Sequence, residues 1–152
     1  MSAVPIVAAV LFACLAAVGA YMDARTRTIP NLLNALMAIC GLAAVWLAAG
    51  ANAGAWAAAH LAIALILGMV IYALGMWGGG DAKFYAAAAA WFELTDAFRL
   101  VLSISLAGLI LVIGWFVTRR FRARVEGAKP RDLPYGVAIA AGGTALMAIQ
   151  TM

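Results

Sequence analysis

The sequence predicts an all-α, polytopic membrane protein: one domain over residues 1–152, with six transmembrane helices and its N-terminus outside. Three observations predict it. The chain is 68% hydrophobic and 11% charged, with a mean hydropathy of +1.06. Soluble domains carry roughly 25% charged residues, so lipid must solvate much of this surface. The uncharged stretches are long enough to cross a bilayer, and the positive charges then gather on one face. This composition excludes a cytosolic enzyme, a secreted module and a nucleic-acid binder. The pI near 9.5 and net charge of +4 would otherwise suggest the last.

The first helix, about 4–22, has no basic residue ahead of its apolar run, so it reads as a retained span rather than a cleaved signal peptide. The next stretch, 28–80, lacks Asp, Glu, Lys and Arg and is long enough to cross twice. Its glycines and Asn between Gly50 and Ala55 favour a turn, giving helices near 31–49 and 56–76. The uncharged segment 84–92 falls short of the ~20 residues that a span needs. The fourth helix therefore draws in its flanks from about Gly80 to Ala97, reaching about 27 Å and bringing Asp81 and Lys83 to the membrane boundary. Helices at about 99–118 and 134–151 complete the set.

With the N-terminus outside, the cytoplasmic connections are 23–30, 77–83 and 119–133. They hold Arg25, Arg27, Lys83, Arg119, Arg120, Arg122, Arg124, Lys129 and Arg131, nine of the ten positive residues, and only Arg99 lies opposite. That asymmetry supports both the span count and the direction. The segment 119–132 reads as a lipid-facing cytoplasmic loop, with contact to a protein partner as the alternative. Cys14 and Cys40 lie in apolar runs without metal-ligand or disulfide spacing and read as small buried hydrophobes. His60 reads as a hydrogen-bonded structural residue.

Six carboxylates remain. Glu93 and Asp96 read as solvated helix-end charges near Arg99, and Glu126 and Asp132 as partners of the basic loop. Asp23 and Asp81 differ: each lies within about a turn of the cytoplasmic end of an apolar helix, a costly position unless paired or wetted. Asp81 follows Gly78-Gly79-Gly80, and a glycine run leaves room for another peptide backbone to approach. Asp23 precedes Pro30, which suits the start of the next helix and fixes how that helix leaves the loop. Read alone, Asp23 could be an interfacial charge balanced by Arg25 and Arg27, and the glycines a flexible turn.

Two aspartates on one membrane face supply what hydrolysis of a peptide bond by an aspartic mechanism requires. Close carboxylates share one proton and titrate as a unit, one activating water and the other polarising the carbonyl. Helix dipoles would bias Asp81 towards the ionised base and Asp23, beyond a helix C-terminus, towards the protonated acid; the opposite assignment stays open.

Gly78-x-Gly80-Asp81 followed by Lys83 resembles the GxGD signature of the type IV prepilin peptidases. Asp23 followed by Ile29-Pro30-Asn31 resembles that family's first aspartate region, and Leu133-Pro134-Tyr135-Gly136 a third landmark. The resemblance implies an intramembrane aspartic endopeptidase that removes the basic leader ahead of a prepilin's apolar helix, at the cytoplasmic face of the bacterial inner membrane. It carries over Asp23 and Asp81 as catalytic. It makes Gly78 and Gly80 loop-shaping residues, and Lys83, Pro30, Asn31, Tyr135 and Gly136 positioning or substrate-binding candidates. No cofactor or metal is implied. The compact form is similar to the peptidases of Flp or tight-adherence pili, and the lack of paired CxxC motifs argues against N-methyltransferase activity. Two other classes fit the composition: a proton-coupled transporter, whose carboxylates should lie near the midplane, and a noncatalytic subunit of a pilus machine. Small residues on the helices permit close packing within or between chains.

Overall fold

The computed structural model describes residues 3–122 and 134–152, with side-chain surroundings over 6–117 and 134–152. Glu126, Asp132, Leu133 and the basic residues of 123–133 lie outside the described residues, as do the side chains of Arg119, Arg120 and Arg122. Regular structure among the described residues is helical: α1 (Ala3–Thr26), α2 (Asn31–Ala73), α3 (Gly79–Ala89), a 3-10 turn (Leu94–Asp96), α4 (Ala97–Arg122) and α5 (Tyr135–Thr151). Three helices are long and apolar enough to cross a membrane, over Ile6–Thr26, Asn31–Ala73 and Leu94–Val117. Large apolar side chains such as Leu32, Leu47, Ile66 and Ile110 face outwards, as a lipid-solvated bundle requires.

α1 runs one turn beyond the expected end. The Thr26 hydroxyl donates to the Met22 carbonyl at 2.8 Å and the Arg27 amide to the Asp23 carbonyl at 3.0 Å. These bonds satisfy end carbonyls that would otherwise lack partners. Asp23 consequently lies inside the last turn of α1, not beyond it, which removes one premise of the dipole argument.

The two helices expected at 31–49 and 56–76 are the limbs of α2, broken at Gly50 alone (φ 85°, ψ −178°), a conformation suited to glycine. No separate loop intervenes. A Cβ on Gly54 would lie 3.6 Å from the Trp46 Cα, whereas residues eight apart in an unbroken helix stand about 12 Å apart. The limbs thus fold back antiparallel.

The expected fourth helix, 80–97, is corrected: α3 has 11 residues and ends at Ala89. It is short because protein, not lipid, surrounds it. Ala86 to Phe92 are all buried, and polar groups at its far end find partners inside the bundle. The Trp91 indole donates to the Met37 carbonyl at 2.9 Å, and His60 Nδ1 lies 3.0 Å from the Phe92 carbonyl oxygen. That oxygen needs a donor, so His60 is the structural residue expected. The Ala88 and Ala89 carbonyls in its last turn accept from the Trp91 and Phe92 amides, each at 3.1 Å, so these end groups keep partners where the helix stops.

The core centres on Phe12, Phe84, Phe92, Met37, Leu100 and Ile139, with Phe12 edge-on to Trp91 at 5.4 Å and to Phe92 at 5.9 Å. Cys14 is exposed on the bundle exterior rather than buried, and both cysteines are free. Asp96 is no mere solvated charge. It pairs with Arg99 at 2.8 Å and accepts from Gln150 Nε2 at 2.9 Å, tying the start of α4 to the end of α5.

α4 and α5 approach closely at Gly142, where the Ser103 hydroxyl donates to the Gly142 carbonyl at 2.7 Å. A Cβ there would meet the Ile104 Cα at 2.5 Å, and backbone cannot swing aside as a side chain can. Gly142→Leu is expected to cost about 1–3 kcal/mol or more from overpacking, read as a lower thermal midpoint in detergent.

Candidate active site

Five segments converge at one end of the bundle: the last turn of α1, its link to α2, the turn between α2 and α3, and the first turns of α3 and α5. A cavity of about 950 Å³ lies among them, lined by Asp23, Arg27, Ile71, Gly75, Met76, Trp77, Gly78, Asp81 and Tyr135. Both singled-out aspartates therefore face one space, although they lie far apart in the chain, on different helices.

Asp23 is buried. The Gly136 amide, in the first turn of α5, donates to its Oδ2 at 2.8 Å. The approach is tight: a Cβ at 136 would lie 2.9 Å from Oδ2 and 3.0 Å from the Asp23 Cβ, so the Asp23 side chain or α5 would have to shift to admit one. The N-terminal end of α5 thus points its positive dipole end at this carboxylate.

Asp81 lies in the first turn of α3 and outside the three long apolar helices. Burial above all, and then the charge of Asp23, push its carboxyl up from 3.8 to about 6, while Arg27 pulls it back down. Gly78, extended at the N-cap (φ −75°, ψ 138°), makes room for it, since a Cβ there would come within 2.8 Å of Asp81 Oδ2. Gly80 is different. The nearest atom to a Cβ at 80 is the Ile29 nitrogen at 3.9 Å, an ordinary contact, so the fold itself sets no steric demand for that glycine.

The turn before α3 is closed by the Gly75 amide on the Tyr72 carbonyl at 2.9 Å and the Met76 amide on the Ile71 carbonyl at 3.2 Å. Gly75 takes the left-handed conformation (φ 73°) that this helix ending needs. It delivers Trp77 to the cavity wall, edge-on to Tyr135 at 5.5 Å and tilted against Tyr85 at 5.7 Å.

The remaining sequence candidates, Pro30, Asn31 and Lys83, are not among the cavity-lining residues. Pro30 is the N-cap of α2 (φ −61°, ψ 140°). Lys83 Nζ donates to Asn31 Oδ1 at 3.1 Å, joining α3 to the start of α2, so this pair holds the two elements together. Sequence reasoning missed Arg27, Ile71, Gly75, Met76 and Trp77 as lining residues. Trp77 carries a signal in standing directly before the glycines; Arg27 reads from the sequence as a topology charge or, with Arg25, as a balance for an interfacial Asp23. Arg27 also ends α1 with a positive φ of 56°, a left-handed conformation that costs a non-glycine residue roughly 1–2 kcal/mol. Among the described residues no group of three or more His, Cys, Asp or Glu side chains comes together.

A family model described as the type IV leader peptidase family matches residues 10–113. The matched stretch holds Asp23, Ile29-Pro30-Asn31, Gly78, Gly80, Asp81 and Lys83 and ends before Tyr135. No curated protein and no solved structure matches the chain.

Proposed function

The chain belongs to the type IV leader peptidase family, and from that premise we propose that it is an aspartic endopeptidase with an Asp23/Asp81 dyad. Its substrates are Flp-like prepilins, each a basic leader followed by an apolar helix. It cuts them at the cytoplasmic face of the bacterial inner membrane, crossing six times with its N-terminus outside. The observation that carries this reading is that Asp23 and Asp81, from α1 and α3, line one cavity.

The surroundings of the two carboxyls favour a division of labour opposite to the dipole expectation. Asp23 Oδ2 already accepts the Gly136 amide at a helix N-terminus, so Asp23 serves as the base. Asp81, whose carboxyl is raised, holds the shared proton and acts as the acid. Asp23 takes a proton from water as the water oxygen attacks the scissile carbonyl carbon. Asp81 gives its proton to the carbonyl oxygen, forming a tetrahedral diol. Asp23 then protonates the leaving nitrogen, the C–N bond breaks, and a diol hydroxyl returns a proton to Asp81. Trp77 and Tyr135 wall the space where the extended peptide would lie.

The test is co-expression with a prepilin, reading leader removal by mass and by the new N-terminal sequence. Unprocessed product across all Flp-like prepilins tried would sink the substrate assignment. A second expectation follows from the raised Asp81 carboxyl. The unfolded group ionises near 3.8 and the folded one near 6, so the stability tied to Asp81 is fully present below pH 4 and lost as pH rises through 6. At pH 7.5, Asp81→Asn should therefore stabilise the protein by about 1–2 kcal/mol, after allowing for solvent screening of this half-buried group. Denaturation in detergent at pH 7.5 and pH 4 checks it, the gain vanishing at the lower pH.

A further inference from the structure

Arg27 is placed at a cost that its other roles do not explain. The ends of α1 and α2 both turn through a left-handed residue; α2 uses Gly75 there and α1 uses Arg27. Glycine would serve the backbone better at 27, and a positive charge for membrane orientation could stand anywhere on this face. Arg25 is such a charge: its guanidinium lies over the Tyr21 ring, 5.7 Å from the centroid, on the exposed side of α1, and it is absent from the cavity lining. Arg27 instead lines the cavity with both aspartates, and its amide closes the helix on the carbonyl of Asp23 itself.

We propose that Arg27 is the third charged member of the site, a positioning residue whose guanidinium offsets the negative charge of the dyad and sets the pH range over which Asp81 keeps its proton. The inference rests on the dyad reading above. Two carboxylates and one guanidinium make the singly protonated dyad neutral overall, which limits the cost of a charge near apolar surroundings. The other groups around Asp81 do not duplicate this. From α1 it faces Asp23, from the link that follows α1 it faces Arg27, and from α5 it faces Tyr135. On its own helix Lys83 is engaged with Asn31 and Tyr85 packs on Trp77. The residues α2 brings to the lining, Ile71 and the turn at Gly75 and Met76, carry no charge. The influence of Arg27 on Asp81 is downward, against burial and Asp23.

The experiment uses Arg27→Gly, which relieves the backbone while removing the charge, Arg27→Lys, which keeps a charge, and Arg25→Ala as a control. Two quantities are read in the full-length protein: the pH dependence of kcat/KM for leader removal, and the titration of the Asp81 carboxyl by infrared difference against Asp81→Asn. In Arg27→Gly the alkaline limb and the Asp81 midpoint should both rise by about one pH unit, with a thermal midpoint no lower than wild type. Arg27→Lys should restore part of the shift, and Arg25→Ala should leave both in place. An unmoved or lowered Asp81 midpoint in Arg27→Gly overturns the proposal. Leader removal that survives Asp81→Asn overturns the dyad reading instead, and the infrared midpoint still decides whether Arg27 acts on Asp81.

Discussion

Asp23→Asn and Asp81→Asn are each expected to slow leader removal by about 10²–10⁴-fold, with both variants present in the membrane at the wild-type level. Asparagine matches aspartate in shape, so these substitutions test chemistry apart from architecture. In the Asp23→Asn variant the side-chain carbonyl oxygen can still accept from the Gly136 amide, and in the Asp81→Asn variant the side chain still fits above Gly78. What each loses is the capacity to take or give a proton. Because the two carboxyls act as a unit, the double variant should be little slower than either single one. The measurement is the rate of appearance of trimmed pilin by quantitative mass spectrometry. If both single variants process at near the wild-type rate, the aspartates are structural and the dyad is wrong, while membership of the peptidase family stands.

Gly136→Ala should be nearly as damaging, at roughly 10²-fold in kcat, the scale on which a misplacement of about 1 Å acts. The alanine methyl would lie 2.9 Å from Asp23 Oδ2, and Asp23, buried in the last turn of α1, has little freedom to retreat. Either the carboxylate turns away from the Gly136 amide or α5 moves off α1. Gly80→Ala is the contrast, because nothing nearer than the Ile29 nitrogen at 3.9 Å opposes that methyl. It should leave the fold and the Asp81 midpoint unaltered, and any loss should appear in KM, where an incoming peptide backbone would meet the new side chain. Steady-state kinetics on the two variants separates these outcomes; equal losses in kcat would mean that both glycines serve the same purpose.

Much of this protein was legible in its residues, and the parts that were not have particular causes. The fold-back of α2 was readable at Gly50, because a paired-glycine segment in an otherwise unbroken apolar run has few other uses. The aspartates stood out because carboxylates are costly at a membrane face. The length of α3 was not readable. The ~20-residue requirement assumes lipid around the helix, and only tertiary packing decides that protein surrounds it instead, with His60 and Met37 supplying partners for its far end. The reach of α1 past Asp23 depended on a hydroxyl and an amide closing the last turn, a choice that periodicity in an all-apolar helix does not mark.

The sequence by itself determined the solvent, the helical class and the residue types able to do chemistry, because composition and charge placement are properties of the chain before it folds. Tertiary structure alone decided which of those residues meet. It set the Gly136 amide on Asp23, put Lys83 on Asn31 and outside the cavity lining, and brought Arg27 into the cavity lining with both aspartates. Such pairings depend on angles and distances between elements far apart in the chain, and local sequence does not encode these one residue at a time.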